Sequence, residues 1–220
     1  MVLLIFLVAC NSEIGNDCFQ AEGTIIETSF DVSEFTKVRI EGEVSLVIKQ
    51  GSVQSVFLET GENLLNDITV TVEGKILVIK DSSKCNLLRG YGFTKAIVTV
   101  PNLTEIRNSS SFDISSEGVL VFPELLLVSN TSGGIDDVRK GGDFYLNIDC
   151  DELNVSANGQ SVFYISGNAS RARLSFTDEN PRFECANLLI NDLSILQVSA
   201  NKMIVNPLEK ISGIIEELEM

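Results

Sequence analysis

The sequence Val155-Ser156-Ala157-Asn158 recurs as Val198-Ser199-Ala200-Asn201, 43 residues further along the chain. Midway between the two copies, residues 176–179 (Phe-Thr-Asp-Glu) begin 21 residues after the first copy and 22 before the second. Regularly spaced segments that start with an apolar residue and end at a turn are typical of coils that stack on one another. We therefore predict a right-handed parallel β-solenoid over residues 106–213, with coils of about 22 residues.

The spacing also predicts the register of the coils. Val155, Phe176 and Val198 should occupy successive coils and stack on one inner face, about 4.8 Å from coil to coil. Upstream, Val128 lies 27 residues before Val155, which is longer than the period. We expect the extra residues, which include residues 139–142, to bulge from the coil as a loop.

Apolar and polar residues alternate along most of the chain, as in β-strands that bury one face. Residues 37–41 (Lys-Val-Arg-Ile-Glu) and 67–72 (Asp-Ile-Thr-Val-Thr-Val) are examples. The chain is therefore predicted to be all-β, with an N-terminal β part at residues 30–105 and an acidic tail at residues 214–220. Whether residues 30–105 form a separate domain stays open at this point.

A leucine-rich repeat is the alternative explanation of the second half. Leu193, Leu196, Val198 and Asn201 have the spacing of that repeat. Such repeats continue into a helix or an extended convex segment, whereas residues 161–165 (Ser-Val-Phe-Tyr-Ile) favour a strand. The all-β solenoid therefore explains the pattern better.

The N-terminus resembles the leader of a bacterial lipoprotein. Residues 2–9 form an apolar run that ends in Leu7-Val8-Ala9-Cys10, and this run is far shorter than the roughly 20 residues that span a bilayer. We predict a signal peptide at residues 1–9, then a lipidated Cys10 and a tether at residues 10–29, so that the membrane is a partner through the lipid anchor. An ordinary secretory signal and a buried first strand remain alternatives, since no Lys or Arg precedes Cys10.

Four cysteines remain after lipidation of Cys10. Cys18 and Cys85 lie in polar, turn-like sequence, and disulfides persist in the oxidising compartments that exported chains reach. We predict a Cys18–Cys85 disulfide, which would stabilise the fold by about 4 kcal/mol in the chain-entropy model. Cys150 and Cys185 lie in strand-like sequence and are predicted to be buried as small apolar residues.

Composition excludes several functions. The 220 residues include 16 basic and 31 acidic side chains, for a net charge of −15, so we expect no nucleic-acid partner. The sequence contains no His, which excludes catalytic triads and metal sites that depend on histidine. We therefore predict no catalytic residues, no cofactor and no metal site.

Two Phe-Tyr pairs near the extra loop define the candidate ligand surface. Neighbours on a strand point to opposite faces, so one member of each pair should be core and the other should face outward. We assign Tyr145 and Tyr164, together with the acidic pair Asp136 and Asp137, to a possible surface for a glycan or protein ligand. Acidic pairs can also bind Ca²⁺ or hydrolyse glycosides, but solvated turn charge is the simpler explanation on so acidic a chain.

Several segments occur in an order that resembles a known family. They are Phe35-Thr36-Lys37-Val38-Arg39-Ile40-Glu41-Gly42, Glu62-Asn63-Leu64-Leu65-Asn66-Asp67-Ile68 and Val98-Thr99-Val100-Pro101-Asn102. In these segments the chain resembles the putative auto-transporter adhesin family with the head GIN domain, over about residues 30–215. That family is found on envelope proteins of Gram-negative bacteria, often carries a lipobox and is thought to be a β-solenoid.

The resemblance implies an exported, non-catalytic outer-membrane lipoprotein on the periplasmic or cell-surface face, and it identifies neither a ligand nor catalytic residues. Three functions stay open. The first is an adhesin or binding module that presents its surface to glycan or protein ligands. The second is a structural envelope scaffold without a specific ligand, and the third is a polysaccharide-active enzyme.

Lipidation of Cys10 can be tested by metabolic labelling. We expect an alkyne-tagged fatty acid to label the wild-type protein but not the Cys10→Ala variant, because the thiol is the point of attachment. Fluorescence of the immunoprecipitated protein after coupling to an azide dye measures the label. Equal labelling of the two proteins would contradict the lipoprotein prediction.

Overall fold

The computed structural model describes residues 21–83, 90–136 and 138–216. This part of the chain contains fourteen β-strands and one single-turn 3₁₀-helix, Leu65–Asp67, so the all-β prediction is confirmed. Cys10, Cys18, Cys85 and Asp137 lie outside the described residues, and the predictions that concern them remain predictions.

The strands are β1 (Ile25–Phe30), β2 (Lys37–Gly42), β3 (Val44–Gln50), β4 (Ser55–Gly61), β5 (Ile68–Glu73), β6 (Ile76–Asp81), β7 (Thr94–Val100), β8 (Glu105–Ser110), β9 (Ile114–Val121), β10 (Glu124–Ser129), β11 (Phe144–Ala157), β12 (Val162–Phe176), β13 (Arg182–Gln197) and β14 (Met203–Ile215).

These strands form one sheet of mixed orientation. Its path runs β1-β4-β7-β3-β9-β11-β10-β8-β2-β6-β5, and β12, β13 and β14 continue from β11. The pairs β1/β4, β4/β7 and β5/β6 are antiparallel, and the other pairs are parallel. Because both β9 and β10 pair with β11, the sheet curves into a nearly closed, barrel-like form.

The mixed orientation corrects the prediction of a clear right-handed parallel β-solenoid. Tight turns reverse the chain in the first half, as at Gly74, whose φ of 66° allows β5 and β6 to form a hairpin. Parallel stacking is sustained from β11 to β14, where each strand pairs with the next in sequence. The repeat in the sequence therefore reflects part of the sheet rather than the whole architecture.

The register of these stacked strands differs from the predicted one. Val155 lies opposite Leu174, which lies opposite Ile195, so the spacing between partners is 19 and then 21 residues. Phe176 is fully buried, as expected, but it belongs to a neighbouring inner column, so Val155, Phe176 and Val198 do not stack on one another. For Phe176 the slip is two residues, which keeps the same face inward because side chains alternate with a period of two. Val198 lies three residues beyond Ile195 and follows the end of β13, so it does not share the inner face of Val155. The recurring tetrapeptide therefore does not fix the register.

Aromatic side chains fill the core of the stacked strands. Phe144 and Phe163 are register partners, and their rings stack with centroids 4.6 Å apart. Phe176 and Phe183 lie 5.6 Å and 6.5 Å from the Phe163 ring, and all four side chains are fully buried. Together with aliphatic residues from strands β2 to β13 they form one continuous core, and Phe163 lies at the centre of its aromatic part.

A buried polar network turns the chain between β8 and β9. The Ser110 hydroxyl donates to the Val44 carbonyl at 2.7 Å and accepts from the Phe112 N–H at 3.1 Å. The Asn108 side-chain amide donates to the Phe112 carbonyl at 2.9 Å, and its oxygen accepts from the Ser110 N–H at 2.9 Å. These bonds satisfy backbone groups that the corner removes from the strand ladder, and each such group would be costly if left unpaired in the interior.

The segment 139–142 packs on this corner, whereas the sequence predicted that it would bulge outward. The Arg139 N–H donates to the Ser109 carbonyl, and the Gly142 N–H donates to the Ser110 carbonyl. Gly142 is buried, and a Cβ at this position would lie only 2.0 Å from the Phe112 carbonyl oxygen. The close approach of two backbones requires glycine here and holds the segment against the sheet.

The two described cysteines are free and buried, as predicted. Burial raises the pKa of the Cys150 thiol to about 12 and also raises the pKa of Cys185. Cys185 also contacts the backbone of the neighbouring strand, where its thiol donates to the Phe163 carbonyl at 3.2 Å. Both residues therefore act as packing residues rather than as nucleophiles.

Truncation of the central aromatic residue tests this description of the core. We expect Phe163→Ala to lower the free energy of unfolding by about 3–5 kcal/mol, because the cavity removes the contacts of Phe163 with three other aromatic rings. The control is Val53→Ala, at a site that is 75% exposed, where we expect a change within about 0.5 kcal/mol. Urea unfolding of both variants measures the difference, and a loss below about 1 kcal/mol for Phe163→Ala would contradict the packing.

Candidate ligand-binding surface

Tyr145 and Tyr164 form a stacked pair on the outside of the sheet. They are register partners on β11 and β12, and they follow the inward-facing Phe144 and Phe163, so alternation turns both tyrosines outward. Their ring centroids lie 4.8 Å apart with an angle of 9° between the planes. The side chains are 44% and 40% exposed. The structure therefore brings these two predicted surface residues together.

The tyrosines end a longer row of outward-facing residues that crosses six strands, which we call the outward row. Each member is the register partner of the next, and the members before the tyrosines are half-buried. The sequence did not reveal this row, because its members come from positions far apart in the chain. In order, the outward row consists of Phe57 (β4), Ile97 (β7), Val47 (β3), Ser115 (β9), Tyr145 (β11) and Tyr164 (β12).

Two aspartates lie beside the tyrosine pair. Asp143 accepts a hydrogen bond from the Tyr145 hydroxyl at 3.4 Å and another from the Val162 N–H at 2.8 Å. The Asp143 N–H in turn donates to a carboxylate oxygen of Asp113 at 2.8 Å. Neither aspartate was predicted from the sequence. A signal was present in the sequence, since an aspartate immediately precedes each of two paired strands in Asp113-Ile114-Ser115 and Asp143-Phe144-Tyr145.

Burial and negative charge shape the protonation of this group. Burial raises the pKa of the Asp143 carboxyl, the hydrogen bond from the Val162 N–H opposes that rise, and the charge of Asp113 adds to it. Burial, together with the charges of Asp143 and Asp113, raises the pKa of Tyr145 above its usual value. The Tyr145 hydroxyl is therefore protonated at neutral pH, as its hydrogen bond to Asp143 requires.

Asp136 lies in a different feature from the tyrosines. It is exposed and lines a polar cleft of about 360 Å³, whose lining includes neither tyrosine. The prediction of a single surface for all four candidate residues rested on their closeness along the chain, and the structure separates Asp136 from the tyrosines. The cleft is lined by Glu41, Gly42, Lys80, Asp81, Ser82, Ser83, Asp136 and Arg139.

Glu41, Lys80, Asp81 and Arg139 of this cleft each contact a charged or polar neighbour. The Glu41 carboxylate lies 2.6 Å from the Arg39 guanidinium and 3.4 Å from the Lys80 ammonium. Asp81 accepts a hydrogen bond from the Ser83 N–H at 2.8 Å. Arg139 lies 3.5 Å from the Glu43 carboxylate. Within the described residues, no three His, Cys, Asp or Glu side chains are arranged to hold a metal ion.

The chain matches the family described as putative auto-transporter adhesin, head GIN domain, over residues 34–217, and it therefore belongs to that family. The resemblance noted in the sequence is thus confirmed. No curated protein matches the chain.

Two solved structures of putative adhesins have a similar fold. The protein from Bacteroides fragilis is 18% identical with a TM-score of 0.66, over 90% of this chain and 97% of that one. The protein from Parabacteroides merdae is 14% identical with a TM-score of 0.54, also over 90% of this chain and 97% of that one. At these identities the likeness concerns the fold alone. No helix in the ranges 21–83, 90–136 and 138–216 is long and apolar enough to cross a membrane.

Proposed function

We propose that this protein is a non-catalytic envelope lipoprotein that binds glycan or protein ligands through the surface carrying Tyr145 and Tyr164. The observation that carries the proposal is the exposed, stacked pair of phenol rings. Tyrosine is enriched where proteins bind partners, because its ring supplies apolar area and its hydroxyl supplies a hydrogen bond.

The rigidity of the pair supports this role. Both tyrosines lie on long, paired strands whose opposite face is anchored in the aromatic core through Phe144 and Phe163. Side chains that are already ordered lose little entropy when a ligand binds, so more of the contact energy remains as affinity. Exposed Val119 and Val121 point outward from the adjacent strand β9 and extend the apolar part of the surface.

The sequence and the family support the proposed location. The apolar leader and Cys10 favour export and a lipid anchor in the outer membrane, with the binding surface on the periplasmic or exterior face. The description of the family as auto-transporter adhesin agrees with a role in the cell envelope. We include the anchor in the proposal, with the labelling of Cys10 as its test.

A structural scaffold without a ligand is the second candidate. It is favoured by the polar cleft, where Glu41 and Asp81 are engaged by neighbouring side chains and backbone. The same pairing argues against a polysaccharide-active enzyme at this cleft, because a general acid and its partner carboxylate must be free to exchange protons with the substrate.

Binding arrays distinguish the two candidates. Protein carrying Cys10→Ala, which removes the predicted point of lipid attachment, is applied to glycan and matrix-protein arrays with and without Tyr145→Ala/Tyr164→Ala. We expect at least one ligand whose binding weakens about tenfold or more in the double variant, because aromatic anchors dominate such surfaces. Tyr91→Ala is the matched control, since Tyr91 is 66% exposed and lies outside the outward row.

Unchanged binding in the double variant would show that the tyrosine surface is not the binding site. If no arrayed ligand binds this protein more strongly than it binds an unrelated acidic protein, the result would favour the structural scaffold.

A further inference from the structure

The outward row contains a notch at Ser115. On one side of this residue stands Tyr145, and on the other side stands Val47, each on a strand paired with β9. A serine side chain is much shorter than a phenol ring, so the Tyr145 face opposite Tyr164 is not covered by its neighbour in the row. Tyr145 keeps 44% of its surface exposed although Tyr164 is stacked on one face.

The dimensions of the notch suit one six-membered ring. Tyr145 and Val47 are two strand spacings apart, which is about 9.6 Å for strands about 4.8 Å from one another. A ring in van der Waals contact with both walls needs about 7–8 Å, at about 3.5–4.0 Å from each wall. One ring therefore fits above Ser115, and two stacked rings do not.

The charges beside the notch select the chemistry of the ligand. Asp143 and Asp113 immediately precede the two strands that carry Tyr145 and Ser115, and both are hydrogen-bond acceptors when ionised. Hydroxyl groups donate to carboxylates, whereas an anionic ligand would be repelled by this pair and by the net charge of −15. A ring with C–H groups for Tyr145 and hydroxyls for the aspartates has the matching chemistry.

We propose that the notch between Tyr145 and Val47 binds a neutral pyranose ring, with Asp143 and Asp113 accepting hydrogen bonds from its hydroxyls. This inference rests on the proposed function and narrows it from glycan or protein ligands to neutral saccharides at a defined subsite. Tyr164 supports the Tyr145 ring from behind and fixes its orientation.

Intrinsic fluorescence provides a direct measurement, because the chain has no Trp and only three Tyr, two of which form the pair. The full chain with Cys10→Ala is titrated with neutral methyl pyranosides and with the corresponding uronic acids. We expect a saturable change in tyrosine fluorescence with at least one neutral sugar. The corresponding uronic acid should bind at least about tenfold more weakly.

Filling the notch tests its position. We expect Ser115→Phe to weaken binding of that sugar about tenfold or more, because the new ring occupies the subsite. The matched control, Ser194→Phe, replaces an exposed serine on β13. This variant should bind the sugar as tightly as the protein that has serine at both positions. Circular dichroism and urea unfolding of both variants establish that they fold.

Three results would overturn the inference. The first is that Ser115→Phe binds the sugar as well as the unmodified protein does, and the second is that neutral and anionic sugars bind equally. The third is that no pyranoside binds although the arrays identify a protein ligand whose binding depends on Tyr145 and Tyr164. The last result would leave the proposed function intact. Arrays without a ligand dependent on the tyrosines would instead reject the proposed function itself.

Discussion

The in-register pairing of β11 with β12 is the constraint on which the core and the surface both depend. One register places Phe144 on Phe163 inside and, one residue later, Tyr145 on Tyr164 outside. Burial of the phenylalanines stabilises this register, since each buried aromatic contributes several kcal/mol, of order 1.5–3 from area alone. The exposed tyrosines therefore gain a fixed geometry from the residues that precede them, without a need for stabilising contacts of their own.

The corners of the sheet allow this pairing to continue from strand to strand. Where the chain turns a corner between two strands, its backbone groups lose hydrogen bonds to the neighbouring strands. Buried hydroxyl and amide side chains bond these backbone groups instead. Ser110 and Asn108 do this between β8 and β9, and Ser129 bonds Ser161 at 2.7 Å beside the corner that precedes β12. Gly142 lets the incoming chain approach this network closely, which brings Asp143 to Asp113 and to the base of the tyrosine pair.

Much of the fold was predictable from local patterns, but the pairing was not. Alternation predicted the strands, the burial of Phe176 and the burial of Cys150, because these properties depend on which face a residue occupies. The register failed because Phe176 lies two residues beyond Leu174, the partner of Val155, and a slip of two residues preserves the inward face. Val198 lies three residues beyond Ile195 and follows the end of β13 at Gln197, so the recurring tetrapeptide is part of a strand in one copy and part of a turn in the other. The tyrosines were predicted because they adjoin core residues, whereas the outward row joins Phe57 to Tyr164 through contacts between distant parts of the chain.

Disulfide trapping of the register tests this account most directly. Oxidation of Tyr145→Cys/Tyr164→Cys should give an intrachain cross-link that peptide mass spectrometry identifies, because register partners lie about 4.8 Å apart and disulfides bridge Cα atoms about 4.4–6.8 Å apart. The control is Tyr145→Cys/Ser166→Cys, whose two cysteines have the same 21-residue spacing as Val155 and Phe176. This pair should not cross-link, because the Cα atoms of residues 145 and 166 lie about 8 Å apart when Tyr145 is the register partner of Tyr164. Efficient cross-linking of the second pair, without the first, would contradict the pairing of β11 with β12 and with it the geometry of the binding surface.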